Sequence, residues 1–341
     1  MRAIRFEREG GPRAVQVPDP APGPDEVLVR VLASGVCRTD LHILDAIAAG
    51  RRPPIVPGHE IAGRVAKIGS DVYTVAVGDA VGVHFEQPCG ACRHCRRKRT
   101  NLCRSGHTLG FDAPGGYAEY VTAKQSTLLV LPPSLEPVLA APLACSGATA
   151  YHAIMTVGRA EEGDVVVVLG AGGVGLSAVQ VARAQQARVL AIDVREAART
   201  AARGAGAEAS CAPEETDAAL RALAGDNGAD LVVDFVGSAR TLALGKSILG
   251  DGGRLVAVAE GEGTDEGIPV TGADLVEGGK ALLGSYSSTM ADFARAIGLA
   301  EAGLLRPVVT RRARLAEASD VLRDLRAGTF VGRAVLEPGP P

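Results

Sequence analysis

The strongest constraint on the fold is an alternation of short aliphatic runs with alanine-rich stretches, which begins near Asp164. The first run is VVVVL at 165–169. The later runs are RVLAID at 188–193, LVVDFVG at 231–237 and RLVAVA at 254–259. Continuous aliphatic runs are typical of strands that are covered on both faces. Their alternation with helical segments therefore predicts an α/β fold with a doubly wound parallel sheet.

The chain before Pro142 has a residue pattern that differs from this alternation. Short runs at 27–32, Glu60–Ile68 and Ala80–Val83 are separated by Gly, Pro and Asp, as in PAPGPDE and VGD. This pattern predicts an antiparallel, turn-rich β region. The end of the chain predicts two helices, at 289–302 and 315–327, and a short strand at 333–336. A length of 341 residues is typical of about two domains.

A glycine-rich turn follows the first aliphatic run. Gly170, Gly172 and Gly175 have the spacing G-x-G-x-x-G, between a strand and an Ala/Val-rich helix. In this context the glycines allow a tight turn, a close approach to a pyrophosphate and close helix–strand packing. Gly173 and Val174 open the helix, whose N-terminus favours phosphate. The turn predicts a dinucleotide site; the alternative is a purely structural strand–helix turn.

Asp193 ends the next predicted strand, eighteen residues beyond Gly175. A carboxylate there can accept hydrogen bonds from both adenosine-ribose hydroxyls and would repel a 2′-phosphate, which favours NAD over NADP. The alternative is that Asp193 caps a helix, because IDVREAART is also typical of a helix start; both can hold together. Arg195 and Arg199 lie close by and can weaken the preference for NAD.

Four of the seven cysteines fall within the segment PCGACRHCRRKRTNLC. They are Cys89, Cys92, Cys95 and Cys103. Four soft, anionic ligands with no open position are typical of a closed, tetrahedral structural zinc. The basic residues among them can offset the charge of that centre. They are Arg93, Arg96, Arg97, Lys98 and Arg99. A nucleic-acid surface is disfavoured because the segment lacks aromatics and the chain carries a net charge of −3.

The remaining composition favours a cytoplasmic protein. The cysteine number is odd, and MRAIRFEREGGPR lacks the apolar segment of a secretion signal, so we expect no disulfide framework. We also expect no membrane span, since no strongly apolar run approaches the ~20 residues required. Cys211 is interpreted as a buried structural residue.

Three further residues have chemistry suited to a metal but are too dispersed for spacing to unite them. They are Cys37 in SGVCRTDLH, His59 in VPGHE and Cys145 in PLACSGATAY. Taken with PGHEIAGRV, VGDAVGV, GGYAEY, the four-cysteine segment, GAGGVG and GRAVL, these segments cover nearly the whole chain. In this order they resemble the zinc-containing medium-chain alcohol dehydrogenases, most closely bacterial secondary or broad-range ones.

The resemblance implies a role for each dispersed residue. Cys37, His59 and Cys145 would hold a catalytic zinc, the two-cysteine, one-histidine set that is known for alcohol dehydrogenase. The other residues would have the following roles: Glu60 approaches the metal, Thr39 bonds the substrate oxygen, His42 ends a proton relay through the nicotinamide ribose, and Asp40 orients a ligand. Phe85 either lines the substrate pocket or is a core residue.

The resemblance also implies the domain organisation and the reaction. A GroES-like catalytic domain would comprise 1–150 and 286–341, and the Rossmann domain 151–285, in a homodimer or homotetramer. The chain would carry two zinc ions and transfer a hydride between an alcohol, or the matching aldehyde or ketone, and NAD. Two alternatives stay open. One is an aryl or biosynthetic alcohol or carbonyl oxidoreductase on the same fold, and the other is a non-catalytic zinc-ribbon module. The sequence does not decide the substrate.

Overall fold

A computed structural model describes residues 1–260 and 270–339. These residues form two compact units. The β-rich unit contains Met1–Ser146, Thr289–Glu301 and Pro307–Pro341. The parallel-sheet unit contains Gly147–Ser288 and Ala302–Arg306.

The strands of the β-rich unit are β1 Arg2–Glu7, β2 Gly11–Gln16, β3 Glu26–Val36, β4 Glu60–Ile68, β5 Ala80–Val83, β6 Glu86–Gln87, β7 His107–Thr108, β8 Tyr120–Lys124, β9 Leu128–Val130, β16 Val309–Arg314 and β17 Arg333–Glu337. Seven of them form a sheet with the order β16-β17-β3-β4-β5-β9, in which β8 also pairs with β3. A separate hairpin, β1-β2, and a short ribbon, β6-β7, complete the strands of this unit. Its helices are α1 Arg38–Ala48, α2 Arg93–Arg96, α3 Pro137–Pro142, α10 Met290–Glu301 and α11 Ala318–Ala327.

The pairing of β3 with β4 brings distant residues together. The two strands are antiparallel, and Gly35 lies opposite Glu60. Because β3 ends at Val36 and β4 begins at Glu60, Cys37 and His59 emerge beside one another at the same end of the pair. A side chain at position 35 would collide with the Glu60 carboxylate, so only glycine allows this approach.

The parallel-sheet unit confirms the predicted doubly wound α/β fold. Its strands are β10 Val165–Leu169, β11 Arg188–Ile192, β12 Ala209–Cys211, β13 Ala229–Asp234, β14 Leu249–Ala257 and β15 Ala281–Gly284. In the described part of the chain these six strands are all parallel, in the order β12-β11-β10-β13-β14-β15. The helices are α4 Ala148–Tyr151, α5 Gly173–Ala184, α6 Glu196–Gly204, α7 Thr216–Ala224, α8 Ala239–Ser247 and α9 Gly272–Val276.

The core of this unit explains the aliphatic runs. Every residue of β10 is buried, as expected for an inner strand of a parallel sheet whose two faces are both covered. Cys211, at the end of β12, is buried in the same core, as predicted. β14 begins earlier than the predicted run at 254–259, since a register shift lets Leu249 pair with Ala229 before the glycine-rich DGGR segment.

The sequence predicted no apolar run long enough to span a membrane, but the helical stretch Pro137–Val157 differs from this prediction. By length and composition it could cross a membrane, with a mean hydropathy of 1.3. Of its apolar window, 83% is buried inside the folded chain, which accounts for the hydropathy by interior packing. The stretch widens to π-helical turns at Leu143–Gly147 and His152–Val157, and Cys145 lies in the first of them.

Candidate metal centres and cofactor-binding turn

The structure brings the three dispersed ligand candidates together with Glu60. The ligand atoms of Cys37, His59, Glu60 and Cys145 all lie within 4.8 Å of one another, and all four residues are buried. Each comes from a different local context. Cys37 is the N-cap of α1, His59 precedes β4, Glu60 opens β4, and Cys145 lies in the π-helical turn.

Asp40 connects two of these residues. Its Oδ2 accepts a hydrogen bond from the backbone N–H of Cys37 at 2.8 Å, and its Oδ1 lies 3.6 Å from Nδ1 of His59. The carboxylate thus faces Nδ1 and leaves Nε2 of the imidazole free to bind a metal. A carboxylate behind a ligating histidine is a common arrangement that fixes the ring orientation.

Tyr117, in the segment GGYAEY, is a neighbour of Asp40 for which the sequence predicted no role. Its hydroxyl donates to Oδ2 of Asp40 at 2.9 Å, and the residue is completely buried. Burial and the nearby Asp40 carboxylate raise the pKa of Tyr117 well above its ordinary value. The hydroxyl therefore keeps its proton and acts as a donor.

The electrostatics of this cluster suit a soft cation. A hydrogen bond from Cys145 lowers the pKa of Cys37 well below its ordinary value, against the opposing effect of burial, and Arg333 and His59 add to the lowering. The same hydrogen bond, with burial, raises the pKa of Cys145. For His59, burial lowers the pKa, but the nearby Asp40 carboxylate and Cys37 thiol more than compensate, so the net direction is upward.

The residues present fit a catalytic zinc. Several buried polar atoms make no hydrogen bond among the described residues, including Nδ1 of His59, Oδ1 of Asp40 and both carboxylate oxygens of Glu60. Buried polar groups are usually paired, so this concentration is unusual. Two thiols and one imidazole are the nitrogen and sulfur donors that zinc prefers, and a three-ligand set leaves a coordination position open.

Arg333 is a second residue that sequence reasoning missed. Its Nη2 lies 3.1 Å from Oε1 of Glu60, and the two side chains are 6% and 0% exposed. Burial raises the pKa of Glu60 to about 7, although the positive charge of Arg333 opposes the shift. Arg333 thus supplies a fixed buried cation next to an anionic ligand cluster.

The predicted proton-relay residues lie on α1. Oγ1 of Thr39 is 3.5 Å from Sγ of Cys37, and Thr39 is half-buried. His42 is exposed and lies three residues further along the same helix. Residues with this spacing lie on neighbouring positions of a helix surface.

Two phenylalanines flank His59. The ring centroids of Phe85 and Phe111 each lie 5.2 Å from that of His59, and the two phenyl rings stack at 6.3 Å. Phe85 was predicted to line the pocket or to be a core residue, whereas Phe111, whose segment GFDAPGG is typical of a turn, was not predicted. The geometry makes both phenyl rings neighbours of the metal-ligand cluster.

The four-cysteine segment closes on itself. The ligand atoms of its cysteines lie within 4.8 Å of one another, and the residues are half-buried. Sγ of Cys92 is 3.5 Å from that of Cys95 and 3.9 Å from that of Cys103. Backbone N–H groups of Ala91 and Cys92 lower the pKa of Cys89 to about 6. Four convergent thiols, one of them acidic, fit a closed structural zinc.

The glycine-rich turn has the local geometry that its spacing predicts. Gly170 has a φ of 89°, a left-handed conformation that favours glycine. A side chain at Gly175 would collide with the carbonyl oxygen of Gly170, so glycine is needed for close helix–strand contact. Gly172 is the N-cap of α5, and an added Cβ there would meet open space, as an approaching pyrophosphate requires. Gly173 and Val174 form the first helical turn.

Asp193 lies beside this turn. Its Oδ2 accepts from the backbone N–H of Ala171 at 2.9 Å, and its Oδ1 accepts from the backbone N–H of Arg195 at the same distance. The helix-cap alternative is not supported, because the N-cap of α6 is Arg195. The Nε of Arg195 lies 3.5 Å from Oδ1 of Asp193, so a cation adjoins the carboxylate.

A unit with a dinucleotide-type turn, together with a β-rich unit that holds two metal-type clusters, is the architecture of a zinc-binding dehydrogenase. The family model of the alcohol dehydrogenase GroES-like domain matches residues 23–133. The model of the zinc-binding dehydrogenase matches residues 173–302.

Whole-chain comparisons agree with these matches. An NAD-dependent alcohol dehydrogenase from Sulfurisphaera tokodaii is 34% identical, covering 99% of this chain and 100% of that protein. The solved alcohol dehydrogenase from Thermus sp. ATN1 is 30% identical, with a TM-score of 0.91 and 99% of both chains covered. A D-arabinose 1-dehydrogenase (NADP(+)) from Saccharolobus solfataricus is 31% identical over 94% of this chain and 92% of that protein. The chain belongs to the zinc-dependent medium-chain alcohol dehydrogenases, an enzyme family, so the non-catalytic zinc-ribbon interpretation is wrong.

Proposed function

We propose that this chain oxidises an alcohol to the matching aldehyde or ketone with NAD, and catalyses the reverse reduction, at a zinc held by Cys37, His59 and Cys145. The observation that carries the proposal is the convergence of these three buried side chains within 4.8 Å, with Asp40 behind His59. A second zinc, held by Cys89, Cys92, Cys95 and Cys103, has a structural role. Glu60 stays close enough to approach the catalytic metal.

When bound, a three-ligand zinc lowers the pKa of a hydroxyl group and polarises a carbonyl. Side chains of the protein would then carry the proton of the alcohol to solvent. In this relay the hydroxyl of Thr39, which lies beside Cys37, would accept the proton of the alcohol and donate its own proton to the nicotinamide ribose. His42, which is exposed, would receive a proton through that ribose and release it to solvent. Proton transfer by a positioned side chain typically contributes ~10²–10⁴-fold to a rate.

The neighbouring phenyl rings favour an apolar substituent on the alcohol. Phe85 and Phe111 present stacked rings beside His59, and neither ring carries a polar group that could bond extra hydroxyls. Secondary, longer primary and aryl alcohols therefore suit the site better than polyols do. The aryl alternative falls within this substrate range, and the biosynthetic alternative stays open.

The cofactor proposal depends on Asp193. The location of its carboxylate close to Ala171 in the glycine-rich turn supports this role, since a carboxylate there would accept bonds from ribose hydroxyls and repel a 2′-phosphate. A homodimer or homotetramer and a cytoplasmic location are proposed from the sequence and the family resemblance. Size-exclusion chromatography with light scattering tests the oligomeric state.

A substrate panel tests the proposed activity. Purified protein is mixed with NAD and with primary, secondary, aryl or polyol alcohols, and NADH formation is followed by absorbance. We expect turnover with at least one apolar alcohol, loss of turnover after chelation of the metal, and recovery on adding zinc. Equal turnover in the chelated and zinc-restored protein would contradict the proposed site, and turnover with polyols alone would contradict the apolar substrate range.

A further inference from the structure

We infer that Tyr117 is a positioning residue of the dispersed metal site: it holds the Asp40 carboxylate, and through it fixes both Cys37 and His59 for metal binding. The inference rests on the proposed function of that site, and it adds a residue outside the ligands and the relay.

The first observation is the hydrogen bonding of Asp40. Its Oδ2 accepts from the hydroxyl of Tyr117 at 2.9 Å and from the backbone N–H of Cys37 at 2.8 Å. Its Oδ1 lies 3.6 Å from Nδ1 of His59. One carboxylate therefore contacts two candidate ligands, and Tyr117 is the side-chain donor that fixes its plane.

The second observation concerns the backbone before His59. The N–H of Tyr117 donates to the carbonyl of Pro57 at 2.9 Å, and the N–H of Gly116 donates to that of Gly58 at 2.7 Å. Gly58 has a φ of 92°, and a Cβ there would collide with the ring of Tyr117. The tyrosine thus packs directly on Gly58, the residue that precedes the histidine ligand.

Burial makes the hydrogen bond from the Tyr117 hydroxyl to Asp40 energetically important. Tyr117 and Asp40 are both 0% exposed, so water cannot replace a lost donor. Removing one partner of a buried, charged hydrogen bond leaves the carboxylate poorly satisfied and free to turn. Outer partners of metal ligands typically contribute 10–100-fold to metal affinity. Because Tyr117 acts through Asp40, we expect the lower end, about 10-fold.

The test is the affinity of the metal site in Tyr117→Phe, which keeps the ring and removes only the hydroxyl. Zinc transfer to a chromophoric chelator is measured at several chelator concentrations. The zinc that belongs to the dispersed site is identified as the fraction absent from Cys145→Ala. Tyr120→Phe is the matched control, since Tyr120 lies three residues further on in β8 and is half-buried.

We expect Tyr117→Phe to bind this zinc about 10-fold more weakly, with the four-cysteine zinc and the Tyr120→Phe variant unchanged. A general loss of stability would weaken both zinc sites alike and would overturn the inference. An affinity within twofold of that of the wild type would overturn it as well.

A double-mutant cycle with Asp40→Asn shows whether Tyr117 acts through Asp40. In the Asp40→Asn background, Tyr117→Phe should change the zinc affinity by about twofold or less, because the partner is already altered. An undiminished effect would overturn the proposed route through Asp40. If Asp40→Asn does not fold, the comparison of Tyr117→Phe with Tyr120→Phe decides alone. A wild-type protein that binds only the four-cysteine zinc would instead refute the proposed function itself.

Discussion

Arg333, the first residue of the last strand, forms an ion pair with Glu60, the first residue of β4, and both side chains are buried. Through this pair Arg333, which is distant in the sequence, lies beside the metal-ligand cluster. Glu60 cannot exchange its counter-ion for water, because its side chain is 0% exposed. The stability of this end of the sheet therefore depends on the charge of Arg333.

We predict that Arg333→Met lowers the free energy of unfolding by about 3–5 kcal/mol, since it leaves a buried carboxylate without its partner. Chemical denaturation of the metal-loaded protein measures the change. Arg323→Met is the control: it breaks the Arg323–Asp320 pair, whose side chains are 69% and 55% exposed, and should have little effect. Adding Glu60→Gln to Arg333→Met should recover part of the loss, and no recovery would argue against the ion pair as its cause.

The four-cysteine site should support the stability of the protein, and the site of Cys37, His59 and Cys145 should support its turnover. Elemental analysis of the wild type should give about two zinc ions per chain. Cys92→Ser should lose the four-cysteine zinc and lower the melting temperature, because a closed metal site contributes directly to folding. Cys145→Ala should keep that zinc but lose the second one and nearly all turnover. A stable, zinc-loaded Cys92→Ser protein without turnover would reverse the roles assigned to the two sites.

Thr39 and His42 should contribute unequally to turnover. Thr39→Val keeps the shape of the side chain but removes the hydroxyl next to Cys37, so most turnover should disappear while both zinc ions and NAD binding remain. His42→Ala should be milder, because water can replace an exposed proton carrier, and it should change the pH dependence more than the metal content. Steady-state kinetics across a pH series measure both variants. Near-wild-type turnover in Thr39→Val would show that the proton leaves by another route.

Cofactor preference should depend on the carboxylate of Asp193. The wild type should favour NAD over NADP in kcat/KM, and Asp193→Ala should lose much of that margin because the charge that repels a 2′-phosphate is gone. Arg195→Ala in the wild-type background is a useful companion, since it removes the cation that adjoins Asp193 and should sharpen the preference for NAD. Equal use of both cofactors by the wild type would contradict the assignment.

Features that depend on a local sequence pattern could be predicted, whereas most of those that depend on contacts between distant residues could not. The four cysteines fall in one segment, so their spacing alone predicted a metal cluster, and the aliphatic runs predicted the parallel sheet. Cys37, His59 and Cys145 needed the family resemblance, because only the pairing of β3 with β4 and the helical turn at Cys145 bring them together. The strand order of the sheet had no local signature.

Tyr117 and Arg333 escaped sequence reasoning for the same physical reason. Tyr117 bonds a carboxylate 77 positions earlier in the chain, and Arg333 pairs with a residue on a different strand. An isolated tyrosine or arginine is usually a surface or packing residue, and nothing in its neighbourhood reveals a buried charged partner. Only the folded structure shows that Tyr117 meets Asp40 of α1 and that Arg333 meets Glu60 of β4.

The close approach of Gly35 to Glu60 has a practical meaning for anyone redesigning this enzyme. At that level the two strands leave room for one side chain, and the carboxylate fills it. Any side chain introduced at position 35 would have to displace Glu60, and so would disturb the metal-ligand cluster. Libraries that aim at new substrates should instead vary positions 85 and 111, where replacing a phenyl ring by a smaller side chain would enlarge the space beside His59.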